Sequence, residues 1–175
     1  MFKFLTQRFR DMDRLTRLFN EAERIANAEG QAEPGAEHMV MAALTSPDDE
    51  SARRALAQQG ATPEAFSAAV QQQYANALKS IGIEAPLVEQ QDLIASPPVR
   101  KRGFYKATES MHDLLDAMTT NKEFTSKTAF SAAEILLGAT RPKFGVVARA
   151  FDLLGIDRDD LASAARVEIA GHTAG

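Results

Sequence analysis

Residues 52–66, ARRALAQQGATPEAF, and residues 147–161, VARAFDLLGIDRDDL, specify the same local structure twice. In each, alanines and larger apolar residues at three-four spacing run into a glycine. A capping residue stands two positions after that glycine, and an apolar anchor follows four positions later. At an offset of 95, Arg54 falls on Arg149, Ala55 on Ala150, Gly60 on Gly155, Thr62 on Asp157 and Phe66 on Leu161. Upstream, an offset of 96 places Val40 on Leu136, Met41 on Leu137 and Ala42 on Gly138. The one-residue difference is an indel between the second and third helices, where TSPDDES faces RPKFG. The expected fold class is therefore all-α: a pseudo-twofold tandem repeat of two four-helix units.

The flanking sequence fits that frame. Leu15, Leu18, Phe19, Ala22, Ile25 and Ala26 predict an amphipathic helix over 11–29, stopped by Gly30. AEHMVMAAL, residues 36–44, is apolar almost all round and predicts a short helix buried among others. Ser46, Asp48 and Asp49 are candidate N-caps for the helix that ends at Gly60. Thr62 and Pro63 then open a helix through Phe66, Val70 and Tyr74. From Ile81 to Gly103 the periodicity dissolves among Pro86, Pro97, Pro98 and the basic VRKRG. A connection of that length reads as a solvated linker rather than an anion patch. The expected organisation is one domain over 1–175, with a first repeat at 11–80, a linker loop at 81–103 and a second repeat at 104–170. At the start, Phe2, Leu5, Phe9 and Met12 make an apolar stripe beside Lys3, Arg8 and Arg10. Its preferred reading is an extension of the first helix over its own core, ahead of partner docking, with membrane contact last.

Composition narrows the function classes. The 175 residues are 45% hydrophobic, carry a net charge of −4 and contain no cysteine. A balanced, slightly acidic chain lacks the basic stripe of a nucleic-acid binder. Without cysteine there is no disulfide, thiolate nucleophile or thiolate metal site, which suits a cytoplasmic setting. The three histidines are His38, His112 and His172, and none has a second histidine at ligand spacing. No G-x-S-x-G elbow and no phosphate-binding G-x-x-x-x-G-K-[ST] loop occurs. The acid pairs Asp48-Asp49 and Asp159-Asp160 fall at helix starts, where negative charge complements the helix dipole. The expectation is no enzyme, no catalytic residue, no metal and no cofactor. Glu37 reads as a first-turn acid, and His38 as a side chain bonding the loop before it. The rival reading is a small-molecule-binding or hydrolytic helical protein that uses His38 with acids from the other half.

The run GAEHMVMAAL, followed by the ARRALAQQG helix and the TPEAF helix, resembles the Clp N-terminal repeat. AEILLGATRPKFGVVARAFDLLGID is similar to the second repeat of that family. The resemblance extends from about residue 11 to 169. It implies a double four-helix repeat, the module that receives substrates and adaptors in front of the ATPase modules of Clp unfoldases. These residues hold no ATPase module. The resemblance therefore implies a stand-alone accessory or decoy for Clp-dependent proteolysis, with protein clients, adaptors or a Clp unfoldase as partners. Some members bind phosphoarginine, using the Glu of Glu-His for the guanidinium and a threonine near the first helix for the phosphate. Glu37 matches that Glu and Thr108 that threonine, but Met12 and Ala133 occupy the matching positions in the opposite repeats. Carried over residue by residue, the implied peptide-binding set is Glu37, His38 and Thr108, with phosphoarginine binding weakened or lost.

Overall fold

A computed structural model describes residues 2–80, 82, 107–120 and 130–172; for 2–11, 119–120 and 172 it describes the backbone alone. The described residues form eight helices and no strand: α1 (Phe2–Ala28), α2 (Ala36–Leu44), α3 (Ser51–Ala57), α4 (Pro63–Ser80), α5 (Glu109–Thr120), α6 (Ala132–Ala139), α7 (Val146–Leu153) and α8 (Arg158–His172). None of them is long and apolar enough to cross a membrane. The expected linker, 81–103, lies outside the described residues apart from Gly82.

Helix ends follow from local chemistry. Gly60 and Gly155 sit at φ 72° and 68°, a left-handed conformation that lets the next turn satisfy carbonyls the helix leaves open. Ala61 N–H reaches back to Leu56 O, and Ile156 N–H reaches back to Phe151 O. Two residues on, Thr62 Oγ1 accepts from Ala65 N–H at 3.2 Å and Asp157 Oδ1 from Asp160 N–H at 3.1 Å. The starts of α3 and α7 lie 95 residues apart, as do those of α4 and α8. None of the candidate caps stands at the N-cap of α3, which is Glu50 and makes no side-chain capping bond; Asp49, one residue earlier, accepts from Ser51 N–H through Oδ1 at 2.9 Å.

Helix α1 begins well before residue 11, because nothing between 2 and 28 is a glycine or proline. Of the N-terminal stripe, only Met12 has a described side chain, and it is 59% exposed. At that position the stripe does not extend the core.

Helices α2 and α6 stand at the centre. Every residue of α6 is buried, as is all of α2 except Met41. α2 packs against α1, α4, α5 and α6, while α6 packs against α3, α5 and α8. The outer helices cross between the sequence halves, with α3 lying on α8 and α4 on α7. Phe66 and Phe151 join that second pair, their ring centroids 5.6 Å apart. Gly138 allows a close approach: a Cβ there would fall 2.9 Å from Met118 Cγ, so α5 seats directly on the α6 backbone.

Candidate functional site

The α2 helix start gathers all three residues carried over from the resemblance. His38 is 1% exposed, and its Nδ1 accepts the Gly35 N–H at 2.8 Å. That role requires an unprotonated Nδ1, which leaves the Nε2 proton for Glu29 Oε2 at 3.2 Å. Both ring nitrogens are thus engaged within residues 29–38. At the α6 start Glu134 does the same work, its Oε1 accepting from Ser131 N–H at 3.2 Å. His38 is a helix-capping group at the position where the second half uses a carboxylate.

Glu37 is 4% exposed and lies against Gly35, with Oε1 accepting the Tyr74 hydroxyl at 2.6 Å. Burial, then the bond to Glu37, pushes the Tyr74 phenol well above its ordinary range. Thr108 belongs to the second half of the sequence, yet its N–H donates to Pro34 O at 3.1 Å. Next to it, Ser110 Oγ accepts from Ala36 N–H at 3.2 Å. The resemblance implied one threonine and one Glu position within each half. The hydrogen bonds instead run across the halves, bringing Thr108 to the turn that precedes Glu37. Sequence reasoning missed Tyr74 as the Glu37 partner, because a contact spanning 37 residues leaves no local signal.

Depressions of about 510 and 590 Å³ open beside Leu44 and Leu137, and two other grooves lie at the ends of α2 and α6. The larger of these last two, about 370 Å³, lies between α1 and the α6 start. Leu18, Ala42, Phe130 and Ala132 give it apolar walls, and Thr45 and Pro47 stand at its edge. Arg14 closes one end, Nη1 donating to Phe130 O at 2.9 Å. Arg17 and Asp48, both exposed, pair at 3.3 Å between α1 and the α2–α3 loop. Glu21 is held by Arg24, whose hydrogen bond keeps that carboxyl below its usual range. Asp49 and Ser51 fix the far wall from a distance: Asp49 Oδ2 accepts from Ala132 N–H at 2.8 Å and Ser51 Oγ from Ala133 N–H at 2.9 Å. The smaller groove, about 40 Å³, touches Ala36, Glu37, Ser110, Leu114 and Phe144. It has room for little more than a water or two.

What the larger groove can do is hold an apolar side chain between groups that bond a polar backbone. Among the described residues, no group of three or more His, Asp or Glu side chains could hold a metal ion. Neither a family model nor a curated protein sequence matches the chain.

Proposed function

We propose that this chain is a non-enzymatic module that binds protein clients or adaptors in the cytoplasm, built as a pseudo-twofold double repeat of the Clp N-terminal kind. It acts as an accessory or decoy beside a Clp unfoldase. The observation that carries the reading is the 370 Å³ groove between α1 and α6: open, apolar on its walls, and rimmed by exposed charges in weak pairs. Such a surface accepts an apolar side chain of an extended segment and lets rim charges exchange partners at little cost. The recurrence of caps and glycine turns at 95 residues, with α3 on α8 and α4 on α7, supports the double-repeat part of the reading. The geometry of His38 favours this reading over a hydrolytic one, since neither ring nitrogen is directed to a groove by the bonds it makes.

The test is fluorescence anisotropy with a library of labelled ten-residue peptides, on the wild type and on Thr45→Trp. Thr45 is exposed at the groove edge, so an indole there covers the opening without entering the core. Saturable binding by peptides with an apolar centre, lost in Thr45→Trp, is expected. No binding, or binding unchanged by the indole, overturns the proposal.

A further inference from the structure

His38 is a titratable ring held between a backbone donor and two carboxylates. Its Nδ1 lies 2.8 Å from Gly35 N and 3.3 Å from Glu37 Oε1, and its Nε2 lies 3.2 Å from Glu29 Oε2. In the neutral ring the Nδ1 lone pair serves the Gly35 N–H, because a carboxylate has no proton to offer it. In the charged ring both nitrogens are donors, so Nδ1–H meets the Gly35 N–H as donor against donor. Glu37 Oε1 is then the acceptor within reach, and a charge-assisted bond replaces a neutral one. That oxygen already accepts the Tyr74 hydroxyl at 2.6 Å, so the α2 start and α4 compete for it.

We propose that proton uptake by His38 switches the α2 start: Nδ1 releases the Gly35 N–H, bonds Glu37 Oε1, and so weakens the hold of that carboxylate on Tyr74 of α4. Glu29 balances the new charge from the other side of the ring, and its side chain is 27% exposed, so the pair is not sealed from solvent. Gln31 also bonds the Tyr74 hydroxyl, so α4 loosens at that residue without leaving its place. From α5 come the hydroxyls of Thr108 and Ser110, bonded to Pro34 O and Ala36 N–H, and Asp113 at the small groove that Glu37 borders. The one ionisable residue of α6, Glu134, bonds its own helix start, and Arg149 and Asp152 of α7 are exposed. The arginines of α3 pair with Glu50 and Glu168. Glu134 has no ring nitrogen to reverse, so the exchange belongs to the first half alone. It needs no ligand and stands whether or not the larger groove binds peptides.

The test is an NMR titration of the full chain from about pH 8 to about pH 5, the interval in which imidazole ordinarily changes charge. Ring-nitrogen shifts are expected to show His38 Nδ1 bare at the upper end and both nitrogens protonated at the lower. The Gly35 amide should follow the same curve. Its exchange with solvent, corrected for the intrinsic pH dependence, should rise about tenfold on loss of the bond. The Tyr74 Cζ signal should move with it, and Tyr74→Phe tells that signal from the one of Tyr105. His38→Gln keeps an acceptor for the Gly35 N–H and carries no charge, so both responses should vanish while circular dichroism shows the fold intact. Tyr74→Phe frees Glu37 Oε1 for the ring and should raise the pH at which Gly35 responds. A His38 ring that takes up no proton across the interval overturns the proposal. So does a Gly35 amide that ignores the charge on the ring, or a Tyr74 signal that stays fixed while that charge changes.

Discussion

Gly35→Ala should destabilise the protein for want of room, not for want of backbone freedom. Gly35 has φ −101° and ψ 177°, an extended conformation open to any residue. A Cβ there would stand 2.5 Å from Glu37 Oε1, 2.6 Å from Oε2 and 2.8 Å from Cδ. Contacts that short force a displacement, and the carboxylate is not free to move. It is buried and holds the Tyr74 hydroxyl at 2.6 Å. If Glu37 moves, a hydrogen bond to a charged group is lost, about 1.5–3 kcal/mol. If the turn moves instead, overpacking costs about 1–3 kcal/mol. Either route predicts a loss of about 2 kcal/mol in urea unfolding. The two routes separate in a double-mutant cycle with Tyr74→Phe. When Glu37 is the group displaced, Gly35→Ala and Tyr74→Phe remove the same bond, and the double variant costs less than the two added together. A Gly35→Ala variant within about 0.5 kcal/mol of wild type would refute the steric argument. Strict additivity with Tyr74→Phe would show that Glu37 is not what yields.

Three other outcomes follow from the same geometry. Asp49→Ala orphans the N–H groups of Ser51 and Ala132 at once, so chemical denaturation should show a loss of about 1–3 kcal/mol. Phe151→Ala empties a fully buried site in contact with Phe66 and should cost about 3–5 kcal/mol by the same measurement. Tyr74 is held protonated by burial and by Glu37, so its folded pKa lies above its unfolded one. The stability it contributes is complete below pH ~10 and is lost as the pH climbs through the folded value. Alkaline denaturation of the wild type should therefore show a component that Tyr74→Phe lacks, with tyrosinate absorbance lagging in the native state.

The elements that could be read in the sequence are those with short-range causes. Gly60 and Gly155 had to end helices, and Thr62 with Pro63 had to start one; both turns and the Thr62 cap are present. The rhythm of Leu15, Leu18, Phe19, Ala22, Ile25 and Ala26 marks the inward face of α1, where Leu18, Phe19, Ala22 and Ala26 are buried and Leu15 and Ile25 half-buried. The all-apolar run at 36–44 read as a central helix, and α2 is one. The candidate site was legible only in pieces. His38 was readable as a loop-bonding side chain because its partner, Gly35, is three residues away. Asp49 was one of three candidate caps of α3, but Glu50 stands at that position, and the bond from Asp49 to Ala132 N–H spans 83 residues and has no sequence signature. Thr108 meets Pro34 across 74 residues for the same reason. Which side chains line the groove could not be read from the sequence. The groove is the space left when α1, the α2–α3 loop and the α6 start meet, and it depends on how helices are placed rather than on any one stretch.

The most direct test of the account is an amide-resolved NMR titration with the tightest peptide from the library. Chemical-shift changes centred on Leu18, Ala42, Phe130 and Ala132 are predicted, saturating with peptide and absent in Thr45→Trp. Changes confined to other surfaces, or none at saturating peptide, would contradict the assignment of the α1–α6 groove as the binding site.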